Sequence, residues 1–298
     1  MSPPEHIKSP KDLVTTHSAI CAGFLAQAVA KTEKANPYVK AAIVFWRALR
    51  RVRVPRELID AKELRDDLLA AAGFSEKAKE HLSDKELQDA LRTVLSRFAG
   101  RKAGWREQVF CMYLLTKGDS LGGSMRNLTG AIAGKRVAES AVRQLTALGH
   151  TTKLEYTNQD KEKVESISWD ERSLVFDKKI PFIGNNVDVI LLQRERKEAL
   201  CKEMTADKSR YRACGELKGG IDPAGADEHW KTASTALQRI RESFDPKVRP
   251  RLFYLGAAIE QSMAMEIVEQ LNDGRLDYAG NLTRPEQVHD LIAWLTSL

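Results

Sequence analysis

Glu216, Leu217 and Lys218 close a β-like run, RACGELKG, and two glycines follow at once in the longer stretch GELKGGIDPAGADEHWKTASTALQRIR, residues 215–241. On a strand, positions i and i+2 point to one side, so the carboxylate and the ammonium share a face while Leu217 takes the other. A second carboxylate stands upstream. Asp188 interrupts the apolar run NNVDVILLQ, and a charge beside a buried strand needs a partner or an ion. If these two strands are neighbours, two carboxylates and one lysine converge. Such a pair of acids suits a hard divalent ion such as Mg²⁺, with positions left for water and a phosphate oxygen. The ion would polarise a phosphate and acidify a water, while the lysine balances charge developing on the phosphoryl oxygens or helps to deprotonate the attacking water. The glycines after Lys218 leave room for a bulky polyanion at the strand end. Plainer roles stay open for the same residues. E-x-K on a strand is common as an exposed salt bridge, and Asp188, behind the turn-like Asn185-Asn186, could cap a strand end.

Other stretches carry weaker signals. His229 sits near the start of an expected helix, 226–244, whose buried stripe is Trp230, Ala233, Leu237, Ile240 and Phe244. Taken alone, a histidine there is a solvated or packing residue, and Asp227 and Glu228 suit the positive end of the helix. The stretch LLTKGDSLGGSMRNLTG, residues 114–130, sets Lys117 and Arg126 among glycines. It lacks the spacing of a P-loop, which excludes nucleoside triphosphate binding by that device. It reads equally as a loop contacting a DNA backbone and as an ordinary connection between helices. Arg47, Arg50, Arg51, Arg53 and Arg56 crowd FWRALRRVRVPRE, either to meet phosphates or as a solvated helix face.

The elements that must position these residues fall into two kinds. Residues 11 to about 117 carry helical periodicity, with a break expected at Asn36-Pro37, a helix starting near Pro55, a capping box at Ser83 and Glu86, and a last helix ending at Gly118. Beyond residue 150, short β-branched and aromatic runs (TKLEY, ESISW, SLVFDKKIPF, VDVILLQ, RACGELKG, RLFYLGAAI) alternate with turns, and helices are expected at 226–244, 260–272 and 285–297. The fold class is α/β: a mixed β-sheet core flanked by helices, with an all-helical N-terminal part. The expected domains are 1–125, helical, and 126–298, α/β and catalytic.

The 298-residue chain has a globular composition and a formal net charge of +6, a mild excess that favours anionic partners. Its four cysteines, Cys21, Cys111, Cys201 and Cys214, form no C-x-x-C pair, so a zinc site or disulfide framework is not expected. No signal-like segment and no apolar stretch of about 18 residues is expected, which points to a cytoplasmic protein that does not span a membrane.

The long 215–241 stretch closely resembles the type II restriction endonucleases of the AvaI/BsoBI group. KSPKDLVTT, GFSEKAKEHL, LLTKGDSLGGSMRNL, NNVDV, GAAIE and NLTRPEQ are similar to that group's segments in the same order, so the resemblance covers nearly the whole chain. It implies a restriction-endonuclease-like PD-(D/E)xK fold and a Mg²⁺-dependent homodimer that cuts double-stranded DNA at a short palindrome, CYCGRG, with staggered ends. Asp188, Glu216 and Lys218 match the group's catalytic residues, with Asp188 and Glu216 as the metal ligands. His229 matches its active-site histidine. Asp222 matches an acid that reads a base edge, which a carboxylate does by accepting from cytosine N4. Lys77 matches a lysine of the helical, DNA-clamping part that reaches the bases, and Lys117 and Arg126 lie in a matched stretch expected to touch DNA. The chain departs where the group carries lysines before the first catalytic acid. Gly184, Asn185 and Asn186 stand there, which makes Asn185 the DNA-contact candidate and puts the target sequence in doubt. The competing readings are a repair or recombination nuclease of the same fold and a DNA-binding protein without cleavage; the intact Asp188/Glu216/Lys218 set argues against the latter.

Overall fold

A computed structural model describes residues 4–97, 104–157, 163–195 and 201–298; the side chains of Ile59, Asp60, Arg126, Asn127, Thr129 and Lys202 lie outside the description. The helices are α1 (His17–Leu49), α2 (Glu57–Asp60), α3 (Arg65–Ala71), α4 (Glu76–His81), α5 (Asp84–Ser96), α6 (Trp105–Ala147), α7 (Lys202–Ala206), α8 (Ala226–Glu242), α9 (Gln261–Asn272) and α10 (Pro285–Ser297). The strands are β1 (Lys153–Tyr156), β2 (Val164–Trp169), β3 (Arg172–Lys179), β4 (Asn186–Gln193), β5 (Tyr211–Lys218), β6 (Arg251–Gly256) and β7 (Tyr278–Asn281).

All seven strands form one mixed sheet in chain order. β1 to β5 pair antiparallel, whereas β5–β6 and β6–β7 are parallel. The parallel pairs need crossovers, which α8 and α9 supply. Strands β4, β5 and β6 are apolar along most of their length because both faces are covered. On one face Ile190, Leu192, Cys214, Leu252 and Tyr254 pack against Trp230, Ala233 and Leu237 of α8 and Met263 and Ile267 of α9. On the other, Val189, Leu191, Ala213, Leu217, Phe253 and Leu255 meet Val137, Ala141 and Leu145 of α6 and Leu291, Ile292 and Leu295 of α10. The expected α/β class with a mixed sheet and helical N-terminal region is what the chain adopts.

Two compact units divide the chain: residues 26–127, and residues 1–25 together with 128–298. The first 25 residues thus belong with the sheet and not, as expected, with the helices. The reason is a buried polar network. Asn281 Nδ2 donates to Leu13 O and to Thr15 Oγ1, both at 2.8 Å, Thr15 Oγ1 donates to Ala257 O at 2.8 Å, and Gln287 Nε2 donates to Asp12 O at 2.8 Å. The helical unit has its own core, including Phe45, Leu49, Leu58, Leu68, Leu87, Leu91, Trp105 and Tyr113. Its α5 starts with the expected capping box, Glu86 N donating to Ser83 Oγ at 3.4 Å and Ser83 N to Glu86 Oε2 at 2.8 Å.

Three expectations fail locally. The break at Asn36-Pro37 is absent: α1 runs through Pro37, which is exposed, with the buried anchors Ala42, Phe45 and Leu49 beyond it. The helix end at Gly118 and the loop over 114–130 are absent too, since both lie inside the 43-residue α6. Each interior glycine costs a helix roughly 1 kcal/mol, but buried residues at both ends of α6 (Trp105, Val109 and Tyr113; Val137, Ala141 and Leu145) hold the intervening turns helical. Finally, the helical stretch Pro10–Leu49 is long and apolar enough by composition to cross a membrane, with a mean hydropathy of 1.4 over its best window. Only 11% of that window is buried, and length and composition are all that it shares with a membrane span.

Candidate active site

The site grows from the point where β4 and β5 part. Their pairing ends at Val189–Gly215. The next free amide, Leu217 N, donates instead to Asp188 Oδ2 at 2.8 Å, so a side chain takes over where the ladder stops. Gly215 allows the tight packing just before: a Cβ there would lie 2.2 Å from the Phe253 ring. Beyond it Glu216 is buried, 4% exposed, and its Oε2 accepts from Lys218 Nζ at 2.9 Å. The same ammonium lies 3.5 Å from Asp188 Oδ2. Asp188, Glu216 and Lys218 therefore meet, because β4 and β5 are neighbours.

The electrostatics are unbalanced. Burial first, and then the neighbouring Asp188, push the Glu216 carboxyl up to about 7, although Lys218 works against both. Burial alone would lower Lys218, yet Glu216 and then Asp188 outweigh it and hold the ammonium above its ordinary range. One lysine faces two carboxylates. Its hydrogen bond and that of Leu217 fall on Oε2 of Glu216 and Oδ2 of Asp188, and no nitrogen donor among the described residues takes the other oxygen of either acid. A divalent cation fits this set, since it would supply the missing positive charge between two adjacent carboxylates. Among the described residues no group of three or more His, Cys, Asp or Glu could hold a metal.

The remaining expected residues are placed as follows. His229 is exposed in the first turn of α8, its Nε2 within 3.1 Å of where a Cβ on Gly220 would stand, so the imidazole covers the backbone just past Lys218. Asp222 is exposed in the same loop, and its Oδ1 accepts from Ala224 N at 3.0 Å. The preceding Ile221 is packed so closely on α1 that a Cβ on Gly23 would come within 2.4 Å of it, which fixes the loop from below. Asn185 is exposed immediately before β4. Lys77, exposed on α4, and Lys117, on α6, belong to the helical unit, where Lys117 pairs with Glu76 at 3.4 Å and lies 5.8 Å from the Tyr113 ring centroid. Arg126 lies on α6, but its side chain is outside the described residues.

Two features had no signal in the sequence. Tyr254 becomes the neighbour of Glu216 only through the parallel register of β5 and β6, which composition does not reveal. In the helical unit, Arg106 binds Val52 O and Arg53 O at 3.0 and 3.2 Å and so pins the turn from which Arg47, Arg50, Arg51, Arg53 and Arg56 are displayed. Those five arginines are exposed and form no ion pair among the described residues.

Comparison with known proteins decides the family. A family model described as restriction endonuclease BsobI matches residues 4–298. The chain belongs to the BsoBI restriction endonuclease family. Relatives in this family include the type II restriction enzyme AvaI of Nostoc sp. (strain PCC 7120 / SAG 25.82 / UTEX 2576), 38% identical over 313 residues that cover 98% of each chain. AvaI of Anabaena variabilis matches with the same identity and coverage. The type II restriction enzyme BsoBI of Geobacillus stearothermophilus is 37% identical over 316 residues, covering 98% of this chain and 97% of its own. As a member of the BsoBI family, the chain is a nuclease whose three converging residues lie where a sheet delivers them to one strand end.

Proposed function

We propose that this type II restriction endonuclease hydrolyses phosphodiester bonds in double-stranded DNA at the centre formed by Asp188, Glu216 and Lys218, with Mg²⁺ as its cofactor. The observation that carries the reading is the convergence of two carboxylates and one ammonium, with Glu216 pushed up to about 7 where a cation would draw it down. When bound, Mg²⁺ would polarise the scissile phosphate and lower the pKa of the attacking water. Asp188 and Glu216 would hold the ion. Lys218 sits between them and offers its remaining protons to a phosphoryl oxygen as negative charge builds there. His229, over the Gly220 backbone, orients or deprotonates the water. Attack is in line, with no covalent enzyme intermediate.

The substrate is a short palindrome, CYCGRG, cut to leave staggered ends by a homodimer in the prokaryotic cytoplasm. Support for self-association comes from α1, where Phe24, Leu25, Val29, Val39, Ile43 and Val44 are exposed. Asp222 reads a base edge, and Asn185, Lys77, Lys117 and Arg126 contact DNA. The helical unit, residues 26–127, with its five exposed arginines, clamps the duplex, while the sheet unit, residues 1–25 and 128–298, cleaves it.

Digestion of a plasmid of known sequence with Mg²⁺, against an EDTA control, tests all of this at once. Discrete ends at CYCGRG are expected. Discrete ends at another site would keep the chemistry and move the specificity to Asn185 and Asn186. Ragged degradation would point to a repair nuclease, and binding without any cutting would remove the role given to Lys218.

A further inference from the structure

Tyr254 lies on β6 as the register partner of Glu216, and Lys218 with Gly256 forms the next same-face pair along the ladder. Partners across a parallel pair point to one side of the sheet, so the phenol shares the face of Glu216 and Lys218. Its ring leans along its own strand toward the Lys218 end. A Cβ on Gly256 would come within 2.5 Å of the hydroxyl oxygen and 3.0 Å of the ring, so only glycine lets the phenol lie there. Trp230 closes the ring's other side, edge-on with centroids 5.0 Å apart. The indole offers no partner, because its Nε1 donates to Glu266 Oε2 at 2.7 Å.

Tyr254 is fully buried, and its hydroxyl has no hydrogen-bond partner among the described residues. A buried orphan hydroxyl carries a desolvation penalty that phenylalanine in the same space would avoid. The nearby group with acceptor capacity to spare is Glu216, whose charge, after burial, raises the phenol's pKa. Lys218 holds Oε2 of that carboxylate and no nitrogen donor among the described residues holds Oε1. Its other side-chain neighbour, Asp188, is an acid that repels it when both are ionised, so Lys218 is the cation that steadies the carboxylate.

We propose that Tyr254 is a positioning residue for Glu216: its hydroxyl donates through one bound water to the carboxylate and fixes the orientation in which Glu216 shares a cation with Asp188. One water between a phenol donor and a carboxylate acceptor satisfies both groups. The inference rests on Asp188, Glu216 and Lys218 being the cleavage centre.

The test uses the full-length chain and Mn²⁺ alone as the probe, followed by titration calorimetry. Tyr254→Phe removes only the hydroxyl, so thermal stability should hold or rise and DNA affinity without metal should not change. Mn²⁺ affinity should fall about tenfold, the scale typical of losing a group that orients a metal ligand. With Mg²⁺, kcat should fall while KM for DNA stays, and added Mg²⁺ should recover part of it. Gly256→Ala keeps the hydroxyl but displaces the ring, and should reproduce the Mn²⁺ defect. Wild-type Mn²⁺ affinity in a folded Tyr254→Phe, or loss of folding in that variant, would overturn the proposal. Glu216→Gln separates the two levels. If it still cuts DNA, the cleavage centre itself is misplaced; if it is inactive while Tyr254→Phe matches wild type, only the role of Tyr254 falls.

Discussion

Two stretches of this chain set glycines beside cations, residues 114–130 and residues 215–225, and they fold in opposite ways. The first continues α6 without a break. The second ends β5, turns, and enters α8. What separates them is the space around the glycines. A Cβ on Gly215 would lie 2.2 Å from Phe253, and one on Gly220 would lie 3.1 Å from His229. A Cβ on Gly118, Gly122 or Gly130 would meet nothing within 4 Å. Glycine permits a break but does not impose one; close neighbours make glycine itself necessary in one stretch, and a helix anchored at both ends absorbs it in the other. The cations differ in the same way. Lys218 is trapped between two acids on a strand, whereas Lys117 projects from a helix toward Glu76.

The largest effect that would break this comparison is catalytic. Lys218→Ala should lower kcat at least about a thousandfold, roughly 4 kcal/mol of barrier, while Lys117→Ala should leave kcat within a fewfold and change only DNA affinity. Single-turnover cleavage of one oligonucleotide duplex by both variants gives the answer. Equal losses would mean that the helix cation is as much part of the chemistry as the strand cation. Next in size is folding. Gly215→Ala forces a methyl into the Phe253 ring, and overpacking of this kind costs about 1–3 kcal/mol. A denaturation midpoint unchanged from wild type would show that the β5–β6 contact yields freely.

How much of this was visible in the sequence follows the same division. Asp188, Glu216 and Lys218 were legible because strand alternation alone puts 216 and 218 on one face, and an acid inside VDVILL must be paired, ion-bound or at the strand's edge. Trp230, Ala233, Leu237, Ile240 and Phe244 were legible as a stripe, and all five are buried. The course of α6 was not, because local glycine content says nothing of the anchors at Trp105 and Leu145. The four-residue β7 carries too few residues for a pattern, and it forms by pairing with β6. Leu13 and Thr15 joined the sheet unit through Asn281 and Gln287, partners far along the chain. Register, end anchoring and long-range polar pairing are three-dimensional properties, and these misses came from them.

Acids in the two units should answer pH with opposite sign. The Glu216 carboxyl lies near 7 in the folded chain against an ordinary 4.5, so the native state holds a proton that the unfolded chain releases. Stability from this group is full below about pH 4.5 and is lost as pH rises toward 7, a loss on the order of 1–3 kcal/mol. Glu76 is held below its ordinary value by its hydrogen bond with Lys79 and then, against some burial, by the charges of Lys79 and Lys117. Its contribution is present above about 4.5 and fades as pH falls, and its exposure keeps it small. Glu216→Gln should flatten the slope between pH 5 and 7 in metal-free thermal melts. Mg²⁺ should do likewise by holding Glu216 ionised. An unchanged slope in the variant would place the proton elsewhere.

The smallest effect sharpens the comparison most. Since nothing crowds a Cβ at Gly118 or Gly122, alanine there should raise stability by up to about 1 kcal/mol each, the difference in helix propensity. The same exchange at Gly215 should lower it. If the glycines of α6 serve only the helix, Gly118→Ala and Gly122→Ala should bind and cut DNA as wild type does. If they are kept because a DNA backbone comes close to them, as a DNA contact by this stretch requires, both variants should melt higher yet bind more weakly. Stability and affinity would then move in opposite directions, which simple damage to the fold would not produce. Fluorescence anisotropy on a cognate duplex in Ca²⁺, set beside the melting curves, distinguishes the two. A rise in stability with unchanged affinity would remove residues 114–130 from the DNA interface and leave Lys117 as the partner of Glu76 alone.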